Sequence, residues 1–190
     1  VSLVSSTPML LVVANSVPAH DMKTLIAYAK SRPGEVNYAT SGNGSPNNLA
    51  GELLNLMAGI ALTHVAYKST PQATTDVIAG HVHSAMASLT SVLPHVRAGR
   101  VRALAVSSGK RSAIAPELPT MIEAGVPGYE HLLWNALLAP AATPREVIRR
   151  LDTELARVVA SADLRERFAA LRRDGVGLAE LDHLQQVFEG

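Results

Sequence analysis

The sequence predicts an α/β fold built on a mainly parallel sheet, and three observations carry that expectation. Apolar runs of strand length alternate with helical patterns from Met9 to Ala139. Glycine or proline punctuates most of the helical stretches, at Pro33-Gly34, Gly59, Gly80, Gly99 and Gly125. The chain has 190 residues of which 47% are hydrophobic, enough to bury at least one good core in one large or two small domains.

Met9 to Ala14 reads as a buried strand, uninterrupted by polar residues. Met22, Leu25, Ile26 and Ala29 recur at helical spacing and are stopped by Arg32-Pro33-Gly34. Val36 to Thr40 is the next strand. Leu49, Leu53, Leu56 and Met57 then mark one face of a helix that ends near Gly59. Leu62 to Tyr67 is a short strand, followed by a helix start at Ser69-Thr70-Pro71 and a stop at Gly80. His81 to Met86 and Val101 to Val106 are two more strands, separated by a helical Leu89 to Ala98. Pro119 to Ala124 reads as a short helix and Leu132 to Ala139 as a strand. From Thr143 onward the pattern is helical: Thr143-Pro144 is a cap followed by a first-turn proline, and Val147, Ile148, Leu151, Leu155, Val158 and Val159 form an amphipathic stripe. Two further helices are expected at Leu164 to Arg172 and Leu178 to Phe188. The seam falls at Val126-Pro127-Gly128, which divides the chain into residues 5-128 and residues 129-190.

Composition removes several function classes. Charged residues make up 17% of the chain and the formal net charge is +1, so the broad basic footprint that nucleic acid demands is missing. There are no cysteines, hence no disulfide or thiolate chemistry, and the compartment stays open on that ground. Met9 to Ala14 is far too short to cross a bilayer, and no membrane insertion is expected. The chain begins with Val1 and no basic-then-apolar leader precedes Met9 to Ala14, so a processed product or a fragment is expected.

The stretch Thr40-Ser41-Gly42-Asn43-Gly44-Ser45-Pro46 joins a strand to a helix and carries the most chemistry. Free N–H groups at the helix start and the positive end of its dipole meet there, where an anion is held well. The glycines permit positive φ, and the Ser41 and Ser45 hydroxyls can donate to ligand oxygens. A plainer reading stands beside it, in which Ser45 caps the helix and Gly42 makes the turn. No Gly-Lys-Ser/Thr follows Gly44, and Asn47 stands where a dinucleotide fingerprint needs its third glycine, so nucleotide phosphates are excluded.

Lys68, just past a strand end, is either a ligand partner or a solvated lysine. Ser69 and Thr70 read chiefly as caps with N–H groups to present, and Ser88 ends the strand that begins at His81. His81 and His83 share a strand face, with His64 a possible neighbour, but a zinc site needs a fixed third ligand, and no metal site is expected. Ser107-Ser108-Gly109-Lys110 has the Ser-x-x-Lys spacing of some hydrolases without the helix that geometry requires, and no Gly-x-Ser-x-Gly elbow exists. Trp134 reads as core or hinge packing more readily than as a stacking platform. Between Arg145 and Arg173 arginines alternate with acids, a solvated helical surface and no polyanion site.

Five ordered stretches carry a resemblance: "SGNGSPNNLAGELL", "HVAYKSTPQATTDVIAGHV", "RVRALAVSSGKRS", "PELPTMIEAGVPGYE" and "LLWNALLAPAATP". In this order and spacing they resemble the Bug-type periplasmic solute-binding proteins of tripartite tricarboxylate transporters. The resemblance implies a type II periplasmic-binding-protein-like fold, here one complete lobe plus the C-terminal helical part of the other, with Met9 to Ala14 and Leu132 to Ala139 side by side as crossover strands. It implies a carrier rather than an enzyme, working in the periplasm with membrane transporter subunits and without cofactor or metal. The ligand implied is a small carboxylate, either a di- or tricarboxylate or an acidic amino acid. Ser41, Gly42, Asn43, Gly44 and Ser45 match one of the family's binding loops. The family's second glycine-rich loop, of the form Pro-Phe-x-x-Gly-Gly-x-x-Asp, has no counterpart in this sequence, so weak binding is expected. Further departures stand out: Asn48 in place of a frequent histidine, Ala66-Tyr67-Lys68-Ser69 in place of Pro-Tyr-Lys-Gly, and His83 in place of an acid. The alternatives are a non-binding remnant or excised domain and, behind it, an α/β hydrolase-like enzyme.

Overall fold

The computed structural model describes residues 2–163; the helices expected at Leu164 to Arg172 and Leu178 to Phe188 lie outside the described residues. The elements are β1 (Ser2–Ala14), α1 (Met22–Ser31), β2 (Asn37–Thr40), α2 (Pro46–Ala58), β3 (Thr63–Ala66), α3 (Thr70–Ala79), β4 (Ser84–Ser88), α4 (Leu89–Arg97), β5 (Val101–Val106), β6 (Leu132–Leu137) and α5 (Arg145–Val159). They fall into two compact units, one of residues 8–132 and one containing residues 2–7 and 133–163.

In the larger unit the strand order is β3-β2-β4-β1-β5. β2 is parallel to β3 and to β4, while β1 runs antiparallel to both β4 and β5. The sheet is therefore mixed, a correction to the mainly parallel expectation. The reason is visible in β1: from Met9 to Ala14 it lies between two strands with every side chain buried, and a strand covered on both faces reads as a continuous apolar run whichever way it points. Leu25, Leu54, Met86, Leu89, Leu93 and Met121 complete the core around it.

The connection from β2 to β3 moves one way along the sheet, and that from β3 to β4 moves back past β2. Right-handed crossovers therefore place α2 and α3 on opposite faces. On the α2 side the helix approaches Tyr38 so closely that a Cβ added at Gly51 would overlap its ring. The buried face of α2 is Asn47, Ala50, Gly51 and Leu54, small residues that admit the strand. The apolar stripe of Leu49, Leu53, Leu56 and Met57 lies outside this buried face, with Leu53 half-buried and Leu49 55% and Leu56 81% exposed.

Two other expectations shift. β4 begins at Ser84, because the N–H groups of His81 and Val82 still bond to Asp76 O behind the left-handed Gly80 cap. Pro119 to Ala124 is a single turn: Thr120 and Glu123 cap one another, with Thr120 N–H donating to Glu123 Oε2 at 2.9 Å and Glu123 N–H to Thr120 Oγ1 at 3.1 Å, and Gly125 with φ 103° ends the turn before a helix can propagate.

In the smaller unit β6 pairs with β1, and α5 carries its arginines and acids on one side and an apolar stripe on the other. No residue of α5 is buried, and Leu151 is 46% exposed. Trp134, expected in packing, is 62% exposed on β6.

Candidate functional site

Register fixes the site. Thr40 pairs with Ala66 and Ala39 with Ala85, so β2, β3 and β4 finish at one edge of the larger unit. Each leads to a helix, β2 and β3 through short connections to α2 from Pro46 and α3 from Thr70, and β4 directly to α4 from Leu89. Because β2 lies between β3 and β4, the loop Ser41 to Ser45 sits in the middle, flanked by Lys68 and Ser69 on one side and Ser88 on the other. Three helix N-termini thus share an edge, each with the partial positive charge of its dipole.

The loop is built by its own hydrogen bonds. Gly42 and Gly44 have φ of 122° and 71°, values that exclude most side chains. Gly42 N–H donates to Thr40 Oγ1 at 3.1 Å, Gly44 N–H to Asn48 Oδ1 at 2.9 Å, and Ser45 N–H to Gly42 O at 3.3 Å. The Ser45 hydroxyl donates to Gly42 O at 2.6 Å and accepts from Asn48 N–H at 3.4 Å, and the Ser41 hydroxyl donates to Asn47 Oδ1 at 3.0 Å. Both hydroxyl protons are therefore given to protein acceptors, Gly42 O in the loop and Asn47 Oδ1 at the start of α2, and Asn43 and Gly44 are the exposed residues of the loop.

The flanking helices differ from α1 and α2 in one respect. Asp21 caps α1 and Ser45 caps α2 through their side chains, whereas the N-cap hydroxyls of Ser69 on α3 and Ser88 on α4 make no cap hydrogen bond. The Ser88 hydroxyl sits 3.0 Å from that of Thr90. Lys68 and Ser69 are exposed and Ser88 is half-buried. Two helix starts at this edge thus keep their first-turn donors uncapped by a side chain.

Sequence reasoning missed Tyr38 and Glu52 behind the loop and gave Asn48 and His64 no part in holding it. The Tyr38 hydroxyl donates to Glu52 Oε1 at 2.5 Å and accepts from Asn48 Nδ2 at 2.9 Å. Burial first, then the Glu52 carboxylate, holds the Tyr38 phenol well above its usual range. His64 Nε2 lies 2.5 Å from Thr40 Oγ1, and its ring is 5.3 Å from that of Tyr38. The four-residue step from Asn48 to Glu52 on one helix face was the available signal.

The remaining candidates lie elsewhere. His83, no part of a strand, pairs with Asn37 at the opposite end of β2: Asn37 N–H donates to its Nδ1 at 3.1 Å and His83 N–H to Asn37 Oδ1 at 2.8 Å. His81 is exposed, 3.7 Å from Asp76. Among the described residues no group of three metal-ligating side chains gathers.

The model of the Tripartite tricarboxylate transporter family receptor matches residues 1–185. The chain belongs to this family. BugT of Bordetella pertussis is 36% identical over 170 residues, covering 90% of this chain and 52% of the relative. Among solved structures, the Rhodopseudomonas palustris protein Rpa4515 with adipate superposes with a TM-score of 0.79 at 35% identity, covering 98% of this chain and 62% of that one. MatC from the same organism, with bound malate, gives a TM-score of 0.78 at 27% identity over 95% of this chain and 60% of that one. The family is one of periplasmic binding receptors, and the α/β architecture described above is theirs. The chain spans about half the length of the curated relatives it matches.

Proposed function

We propose that the edge formed by Ser41, Gly42, Asn43, Gly44, Ser45, Lys68, Ser69 and Ser88 binds a small carboxylate in the periplasm, for delivery to the membrane subunits of a tripartite tricarboxylate-type transporter. The observation that carries this reading is the pair of uncapped helix starts beside the glycine loop. A carboxylate offers two oxygens with about four acceptor sites, and backbone N–H groups at helix N-termini match them without a full opposing charge to desolvate. Each helix end contributes about half an elementary charge, and Lys68 adds a whole one within reach of solvent. Such a site holds its ligand by geometry, so no bond is made or broken, and the ligand leaves unchanged. The dicarboxylates in two solved relatives, adipate and malate, set the class to test first.

Thermal-shift titration with adipate, malate, succinate, citrate and glutamate tests the reading, because a ligand that binds only the folded state raises stability by about 2.7 kcal/mol at a hundred times its Kd. The expected result is a saturable rise in melting temperature with at least one of them, and NMR spectra of the ligand identical before and after incubation. No rise with any carboxylate up to millimolar concentration, or conversion of the ligand, contradicts it.

A further inference from the structure

We propose that Asn48, oriented by the Tyr38 hydroxyl, is the positioning residue of the carboxylate loop, holding Gly44 so that the N–H of Gly44 is the loop's anchor and not one of its ligand donors. The inference rests on the reading of the loop as the carboxylate site and adds which groups hold it and which remain for the ligand.

The direction of each hydrogen bond follows from what each atom owns. A phenol has one proton, and Tyr38 gives it to the Glu52 carboxylate, an acceptor. The Tyr38 oxygen is then left only as an acceptor toward Asn48, so the side of the Asn48 amide that faces it is Nδ2, at 2.9 Å. The Oδ1 side is thereby turned to the loop, where it takes the Gly44 N–H at 2.9 Å. One amide reads a donor on the loop and an acceptor in the protein body, and reversing it breaks both bonds. The far end of the relay is fixed too: Tyr38 is buried, and its ring is packed against Gly51. Gly44 itself has φ 71° and no neighbour within 4 Å of where a Cβ would stand, so packing does not hold it and the Asn48 bond does. Exposed Asn43 is the loop residue this leaves to offer its backbone N–H to a carboxylate.

The test compares wild type with Asn48→Ala, Tyr38→Phe and the double variant. It reads amide hydrogen exchange at Gly44 and Gly42, calorimetric affinity for succinate or the best ligand found, and melting temperature. Asn48→Ala is expected to speed Gly44 exchange roughly tenfold or more and weaken the ligand by roughly tenfold, as loss of one directed hydrogen bond implies. Gly42 exchange, held by Thr40, is expected to stay as it was. Tyr38→Phe is expected to act in the same direction by less, and the double variant to bind no worse than Asn48→Ala, because both changes cut one relay. Unchanged Gly44 exchange in Asn48→Ala overturns the proposal, as do additive losses in the double variant. A fall in melting temperature with unaltered affinity overturns it also, since that marks a merely structural contact. If wild type binds no carboxylate, the functional reading fails by itself and the Gly44 exchange alone decides whether Asn48 holds the loop.

Discussion

At Gly44 the chain takes a φ of 71° in an exposed loop, so the cost of any other residue is conformational and falls where the N–H groups are aimed. Gly44→Val is expected to abolish ligand binding while the protein still folds, whereas Ser45→Ala loses a cap worth about 0.5–2 kcal/mol and weakens affinity only modestly, because its hydroxyl proton serves the loop. Circular dichroism melts and calorimetry separate the two. Ser107 is a purely structural case. Its buried hydroxyl accepts from Met9 N–H at 2.8 Å and donates to His131 O at 2.5 Å, and Ser107→Ala is expected to cost about 1–3 kcal/mol in chemical denaturation. At the acceptor of that bond, burial holds the His131 imidazole below its ordinary value of 6.5, and its Nδ1 has no hydrogen-bond partner among the described residues. Below that value the unfolded chain takes up a proton that the folded one resists, so stability is level above about pH 7 and falls as pH drops through 6.5 toward the lowered folded value. His131→Asn is expected to flatten that part of a melting-temperature profile between about pH 7.5 and 5.5. The loop residues were legible because glycine and Ser-Pro punctuate the chain in ways few other residues do. Tyr38 was not, because its partners lie 10 and 14 residues away and no local pattern joins them.

Among the elements, α2 is where pattern and packing part company. The sequence rule sends the largest apolar residues inward, yet the face that meets β2 is Asn47, Ala50, Gly51 and Leu54, since Tyr38 fills the space between strand and helix. Gly51→Ala gains about 1 kcal/mol of helix propensity but drives a methyl group into a ring tethered by Asn48 and Glu52. A net loss of about 1–3 kcal/mol is expected from overpacking, measured as a lower denaturation midpoint. α3 and α4 were legible in extent because Thr70-Pro71 and Gly80 mark one and Gly99 the other. Whether their N-cap serines would cap was not legible, as a serine before a helix has the same sequence whether or not its hydroxyl turns toward the first turn.

Across the whole molecule, what the sequence conveyed best was family, through five motifs in order, and the family carries the architecture with it. It conveyed strand direction least, since a doubly covered strand such as Met9 to Ala14 hides its orientation. The exposed Leu151, Val158 and Trp134 of the smaller unit and Leu56 of the larger one predict that the 190-residue chain binds ANS, and that Leu151→Glu with Val158→Glu lowers the signal without a loss of helix. The central claim is that a carboxylate sits on the Ser41 to Ser45 loop. It is tested most directly by isothermal titration calorimetry of wild type and Gly44→Val with the carboxylate that gives the largest thermal shift. Measurable binding by wild type and none by Gly44→Val is the result expected; equal affinities for the two proteins would place the ligand elsewhere.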